Sequence, residues 1–563
     1  MTNNINISAD TKKLIISIVL IITTVAVFWQ VNQFDFVNID DQYYVIENHN
    51  IQSGVTFKGL SWAFNIRSAE FWQPLMWFSF MLDYHFHGLN AGGYHLTNLV
   101  LHILSTLLLF WFFCRMTGAV WESAFIAAFF ALHPLHVESV AWISERKGAL
   151  SVFFWMLTIC LYVYYTEKPL IKRYLLVLFS FICALMSKSI VITLPVVMIL
   201  LDYWPLKRFE SKKDNLLSWQ IKEKAPFFIL SIVSSIITLF AQYNMSVQYT
   251  SFPLHSRIAN VLISFVMYLE KLFYPHNMTF FYPFMNQYPF WQIIAAAIII
   301  LFISIVVIVM ARKLPYLLVG WFWYVITITP VIGIIQISSQ AMADRYIYLP
   351  SIGISIMLAW GVPLLFQSEN TRKKILFTAA ITFLATLALI TWKQCGFWKN
   401  SVELLNHALY VRNDVYVVHD CLGLALFAEG KSEEAINHFN QALLLKSDYA
   451  NSYYNRGVVY STSGQYEKSV QDFNETIHLK PDYIPAYYNR AIVYSKIGQY
   501  QLAIKDYSKI ISLEPDYAGA YNNRGAVYLN MGNNKLGCRD AQKACERGVC
   551  KILKIARSKG DCY

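Results

Sequence analysis

Through its first 392 residues the chain alternates apolar blocks with short charged loops. The blocks fall near 14–30, 95–114, 121–141, 148–165, 174–187, 189–204, 226–243, 290–310, 315–333, 347–366 and 375–392. A membrane-spanning helix needs about 20 mostly apolar residues, so the pattern predicts an all-α, polytopic membrane domain of about eleven spans. Composition agrees: 56% of residues are hydrophobic and 14% charged, against about 25% charged in a soluble domain. The run KKLIISIVLIITTVAVFW has the basic flank of a signal peptide but no small-residue cleavage site, and reads as an uncleaved first helix.

Charge orients this domain. With the N-terminus inside, cytoplasmic loops hold Lys12, Lys13, Arg115, Lys168, Lys172 and Arg173. They also hold the 205–224 loop (Lys207, Arg208, Lys212, Lys213, Lys222, Lys224), Arg312, Lys313 and Arg372–Lys374. The outer loops are longer yet carry only Lys58, Arg67, Arg146, Lys147, Lys188, Arg257, Lys271 and Arg345. Cationic loops stay on the cytoplasmic side, so everything after residue 393 is expected outside. The stretch 257–273 is apolar but holds Arg257, Glu270 and Lys271, and is placed as an interfacial or re-entrant helix. The formal charge of +11 follows mostly from these loops, and no nucleic-acid partner is expected.

Residues 393–563 form a second domain. A 34-residue period opens with Tyr453, Tyr487 and Tyr521, with His419 in a degenerate first copy. A small residue follows four on (Gly423, Gly457, Ala491, Gly525), then a turn glycine (Gly430, Gly464, Gly498, Gly532) and a large residue (Phe439, Phe473, Tyr507). This is the signature of tetratricopeptide (TPR) helix pairs. The array comprises a half-repeat at about 401–414, repeats at about 415–448, 449–482, 483–516 and 517–550, and a cysteine-rich cap. Asn455, Asn489 and Asn523 recur at one phase of the inner helices. An amide both donates and accepts, so such a ladder is expected to hold an extended peptide backbone, the alternative being solvated polar positions. Cys538, Cys545, Cys550 and Cys562 crowd the end and are expected to form two disulfides, three pairings being open. Cys114, Cys160 and Cys183 are apolar filler.

Four segments carry candidate chemistry. The first outer loop, 31–94, places Asp40 and Asp41 about ten residues beyond the first span. LHPLHVESVAWISERKGAL at 132–150 supplies His133, His136, Glu138, Arg146 and Lys147. MSKSIVITLP supplies Lys188, and QAMADRYIYLPSIG supplies Arg345 and Tyr346 beside Asp344. Outer-face cations distant in sequence are expected to converge on one anionic group; pairing within each segment, or snorkelling, is the plainer alternative. H-x-x-H-x-E interrupted by Pro134 is not a zinc arrangement, and no metal is expected.

With NIDDQYYV and RIANVLISFVMYLEKLFYPHNMTFFYP, these segments and the repeats after them resemble the transmembrane and TPR-containing O-mannosyltransferases and their bacterial relatives. Gly148 departs from that pattern, in which an acidic residue tends to follow the basic pair. The resemblance implies a GT-C fold, a polyprenyl-phosphate sugar donor, an acceptor hydroxyl outside the cytoplasm, and no cofactor. It implies an inverting transfer with Asp41, or its neighbour Asp40, as general base. Arg146, Lys147, Lys188 and Arg345 are then expected on the donor phosphate, with His133, His136, Glu138 and Tyr346 lining the site, and membrane lipids around the isoprenoid tail. The expected activity is transfer of a sugar, mannose included, to Ser or Thr of a polypeptide held by the repeats. Alternatives are a glycan or lipid acceptor, or a non-catalytic membrane TPR scaffold for envelope or pilus assembly. The expected location is a bacterial inner membrane with the repeats outside, ahead of the endoplasmic reticulum.

Overall fold

A computed structural model describes residues 8–66, 72–211, 215–241, 252–285, 287–334, 340–365 and 369–562. Arg67, Lys212 and Lys213 lie outside the described residues. The chain divides into two compact units, Met1–His407 and Ala408–Tyr563.

The first unit is helical, and within the described residues each apolar block of the sequence folds largely as helix. Among the described residues, fewer than eleven helices are long enough to cross a membrane. Among the described residues six qualify by length and composition: Ala9–Gln33, Ala91–Thr117, Ile143–Glu167, Ser218–Ala241, Phe290–Met310 and Lys374–Gly396. A seventh is counted if the bent pair Val120–Leu132 and Pro134–Ala141, kinked by 53°, is one span. The other blocks are shorter helices, among them Ile171–Leu185, Ser189–Tyr203 and Pro315–Ile328.

Local chemistry sets these breaks. Proline has no backbone N–H to continue a helix, so the helix ending at Leu132 restarts at Pro134. His133 caps the restart, its Nδ1 accepting from the Leu135 amide at 3.2 Å. The helix Leu254–Phe273 is not a candidate span. It buries Ser256, Ala259, Asn260, Ser264, Tyr268 and Lys271 at helical steps of three and four. A single antiparallel ladder, Tyr282–Pro283 with Gln340–Met342, interrupts the all-helical design among the described residues.

The unit boundary falls at 407/408, later than the 392/393 read from sequence, because the intervening segment is bonded into the first unit. Trp398 is buried against Trp142, ring centroids 5.7 Å apart. The helix Ser401–Val411, the half-repeat, starts by accepting the Asn38 amide on Ser401 Oγ at 2.7 Å. His407 stacks on Phe397 at 3.7 Å and pairs through Nε2 with the Met278 carbonyl at 3.1 Å.

The second unit is an array of helix pairs, from Tyr416–Ala428 with Ser432–Leu445 to Ala518–Asn530 with Asn534–Glu546, closed by Lys551–Ser558. Gly430, Gly464, Gly498 and Gly532 all hold φ between 75° and 83°, the left-handed conformation that glycine adopts freely. The small residue of each repeat makes room for the large one: a Cβ on Gly423 would stand 2.6 Å from the Phe439 ring. Arg456, Arg490 and Arg524 clamp Asp472, Asp506 and Asp540 with two bonds each, all 3.1 Å or shorter. Disulfides join Cys538 to Cys562 and Cys545 to Cys550, choosing one of the three pairings.

Candidate functional site

Four segments of the first unit meet around Glu145. The short turn Ile143–Glu145 precedes the helix Arg146–Glu167, so Glu145 and Lys147 project from a helix start. Lys188 follows the helix Ile171–Leu185, and Arg345 lies in the turn Asp344–Ile347 after the ladder. Glu145 Oε2 accepts from Lys188 Nζ at 3.0 Å, while Oε1 faces Arg345 Nε at 3.3 Å and Lys147 Nζ at 3.7 Å. Arg345 also grips Glu138, through a guanidinium N–H and through its own amide at 3.0 Å. Its guanidinium lies between the Trp142 and Tyr346 rings, 5.4 and 5.0 Å from their centroids.

Three cations face two carboxylates, and burial raises the Glu138 carboxyl to about 7, with Arg345 opposing. The carboxylates are sealed in, whereas the side chains of Lys147, Lys188 and Arg345 keep 14%, 17% and 12% of their surface exposed. The accessible rim of the cluster is therefore cationic. Burial pulls the Lys188 ammonium below its ordinary value, and Glu145 opposes that. For Arg345 burial is outweighed by Glu138, which holds the guanidinium well above its usual range. Fixed positive charge in a water-poor site is what a leaving phosphate requires.

The two acidic neighbours of the first loop part company. Asp41 is fully buried. Its Oδ2 accepts from the Val37 amide at 2.9 Å, and its Oδ1 accepts from the Ser144 amide at 3.0 Å and from the Ser144 hydroxyl. Burial raises its carboxyl to about 6, with the Ser144 bond acting the other way. Asp41 thus ties the loop to the turn that bears Glu145. Asp40 is half-buried, and its side chain makes no hydrogen bond to a described residue. Its charge bears on Lys147 and on Tyr44, whose ring lies 5.1 Å from Lys147 Nζ.

Arg146 does not join the cluster. Its NH2 bonds Asp83 at 2.7 Å and the Tyr94 carbonyl at 2.8 Å, Nε bonds Asn98, and NH1 reaches Ser79 at 3.3 Å. Adjacent residues on a helix point about 100° apart, so Lys147 faces the cluster while Arg146 braces the helices Pro74–His87 and Ala91–Thr117. His133 is engaged at both nitrogens, by the Leu135 amide and by the Leu272 carbonyl at 3.0 Å. His136 Nδ1 bonds the Phe130 carbonyl at 2.7 Å, and its Nε2 is buried without a described partner. Among the described residues no group of three or more His, Cys, Asp or Glu is placed to hold a metal ion.

Sequence reasoning passed over the support behind Arg345. Tyr282 donates to Asp344 at 2.8 Å, and Lys271 Nζ caps the His276 and Asn277 carbonyls at 2.7 and 3.2 Å. Burial raises the Asp344 carboxyl to about 6, with Lys271 and Tyr282 opposing. The charges within 257–273 were the available signal, since a lysine on a buried helix face requires carbonyl or carboxylate partners.

In the repeats, the Asn ladder turns its amide donors to the preceding repeat. Asn455 Nδ2 reaches Asp420 at 3.1 Å, and Asn489 and Asn523 each meet a tyrosine hydroxyl, of Tyr454 and Tyr488, at 2.9 Å.

Fold and site together define a chain of membrane-length helices that ends in tetratricopeptide repeats. Sequence models described as TPR repeat and tetratricopeptide repeat match residues 423–464, and 450–483 with 484–517. Homologues are named protein O-mannosyl-transferases. F38B6.6 of Caenorhabditis elegans is 23% identical over 381 residues, 66% of this chain and 53% of that protein. TMTC1 of Homo sapiens is 27% identical over 207 residues, 32% of this chain and 23% of that protein. TMTC4 of Homo sapiens is 23% identical over 470 residues, 72% and 63%. The chain thus spans about half or less of the first two relatives. Among solved structures, one described as the crystal structure of MamA covers 26% of this chain and 86% of its own, at 24% identity and a TM-score of 0.26.

Proposed function

We propose that this protein is an inverting membrane glycosyltransferase that moves a sugar, mannose included, from a polyprenyl-phosphate donor to Ser or Thr hydroxyls of a polypeptide. The reading rests on the cationic rim formed by Lys147, Lys188 and Arg345, with the charge of Asp40 bearing on Lys147. Homologues named protein O-mannosyl-transferases support it. Asp40 accepts the hydroxyl proton while the acceptor oxygen bonds the sugar carbon. The carbon–phosphate oxygen bond breaks on the opposite face, and polyprenyl phosphate leaves onto the three cations. Asp41 acts on this chemistry by fixing the loop. No metal or cofactor enters the step. The repeats recruit the acceptor on the extracytoplasmic side, in a bacterial inner membrane.

Purified protein given radiolabelled polyprenyl-phosphate mannose and a cell-envelope extract should label polypeptide, with the label released by β-elimination. Label confined to lipid or glycan would overturn the acceptor assignment, and no label with any polyprenyl-phosphate sugar would overturn the enzyme. Cysteine labelling tests the orientation: positions within 205–224 should react from the cytoplasm and repeat positions from outside. A cytoplasmic array would defeat the mechanism.

A further inference from the structure

The positive charge of the second unit is gathered at its end. Residues 531–563 contain Lys535, Arg539, Lys543, Arg547, Lys551, Lys554, Arg557 and Lys559 against Asp540, Glu546 and Asp561, a net charge of +5. The rest of the unit, residues 408–530, carries 11 basic and 13 acidic residues, a net charge of −2. The order within the cap is regular: Lys535, Arg539, Lys543 and Arg547 succeed one another at steps of four along and just past the helix Asn534–Glu546, which lines them along one face. Lys551, Lys554 and Arg557 continue the charge on Lys551–Ser558.

Little of it is neutralised within the unit. Arg547 pairs with Asp516 at 3.2 Å, and Lys543 lies 5.4 Å over the Tyr521 ring. The other six cations are exposed and make no ion pair to a described residue. Asp540, the acidic residue that interrupts the series, is clamped by Arg524. Apolar side chains stand among the cations: Met531 is 40% exposed, Leu536 37% and Ile555 41%. The disulfide Cys538–Cys562 ties the segment that follows the second helix to the first, which restrains both helices before any partner arrives.

We infer that this cap is a docking surface for anionic phospholipid headgroups. A run of basic residues on short helices with apolar side chains between them fits a phosphate-bearing interface, where cations meet headgroups and Leu or Ile side chains enter the acyl boundary. An acidic polymer would match the charge but offers nothing to Leu536, Ile555 and Met531. The inference is independent of the transferase reading.

The test uses the full-length protein held in phosphatidylcholine nanodiscs. These are sedimented with vesicles of phosphatidylcholine alone or of phosphatidylcholine with phosphatidylglycerol. Co-sedimentation is expected only with phosphatidylglycerol, and should be lost as salt rises from about 0.1 to 1 M, which shortens the screening length from about 10 to 3 Å. Each basic residue contributes about five-fold at an anionic surface. The quadruple variant Lys535→Gln, Arg539→Gln, Lys551→Gln, Lys554→Gln should therefore bind at least about 100-fold more weakly. The charge-keeping variant Lys535→Arg, Lys551→Arg, Lys554→Arg should bind as the parent does. Equal sedimentation with both vesicles, an unchanged quadruple variant, or capture of polyphosphate without capture of phosphatidylglycerol vesicles would each overturn the inference.

Discussion

Asparagine at position 41 and asparagine at position 40 should fail in different ways. At 41 the amide keeps one carbonyl oxygen for Ser144 but turns its NH2 toward the Val37 amide. That buried N–H is left without an acceptor, at about 1–3 kcal/mol. The native carboxylate has a cost of its own, since burial moves it from 3.8 to about 6. That displacement disfavours the ionised form by about 3 kcal/mol. The two effects have similar size and opposite sign, so above pH 6 the Asp41→Asn protein should melt within a few degrees of the parent. In acid the balance changes. Folded Asp41 holds its proton more tightly than the unfolded chain does, so the parent loses stability as pH rises from about 4 to 6. Asp41→Asn lacks that slope, and below pH 4 it should be the less stable protein by about 1–3 kcal/mol. Asp41→Ala strands both the Val37 and Ser144 amides and should cost about 2–6 kcal/mol below pH 4, a cost that falls by about 3 kcal/mol above pH 6, where the parent bears its buried carboxylate. Asp40→Asn breaks no side-chain hydrogen bond and should melt as the parent does, yet lose transfer by about 10²- to 10⁴-fold. Thermal melting from about pH 4 to 8, run beside donor binding and transfer, separates these outcomes. Full transfer by Asp40→Asn, with Asp41→Asn inactive but normally folded, would show that the two roles had been exchanged.

Three further outcomes follow from the packing. Arg146→Ala leaves Asp83 buried without its partner and should destabilise the protein by about 3–5 kcal/mol in a denaturant melt, whereas Lys147→Ala should leave stability nearly unchanged and weaken donor binding. Unreduced peptide mapping should recover Cys538 with Cys562 and Cys545 with Cys550; reduction should release about 3 and 2 kcal/mol respectively, by loop closure over separations of 24 and 5 residues. Ala at Asn489 and Asn523 removes a bond between repeats at each position and should lower the melting of the array by about 1 kcal/mol each, with acceptor use falling as well if the amide oxygens hold the polypeptide.

Much of this architecture could be read from the chain. The repeats were legible because each position of the 34-residue period has one physical task, as Gly423 beneath Phe439 and Gly430 in its left-handed turn show. The converging cations were legible as residue types out of place among loops otherwise poor in positive charge. What stayed hidden depends on direction. Arg146 and Lys147 are neighbours in sequence and face opposite networks, and so do Asp40 and Asp41; periodicity near a helix start or in a turn does not say which is which. Span lengths were overestimated because hydropathy does not register a break such as His133–Pro134, which keeps the apolar run while ending the helix. The amides of Asn455, Asn489 and Asn523 look free until the preceding repeat supplies Asp420, Tyr454 and Tyr488.

Repeat arrays are readily exchanged between proteins, because each repeat touches only its neighbours. The half-repeat helix Ser401–Val411 limits that freedom here. A foreign array spliced in at 393 would remove Trp398 from Trp142, Ser401 from the Asn38 amide and His407 from the Met278 carbonyl. The first of these lies against the ring that backs Arg345, and the second holds the loop two residues before Asp40. A splice placed after His407 would keep all three. Divergence among related chains should accordingly be held back as far as His407 and run more freely beyond it.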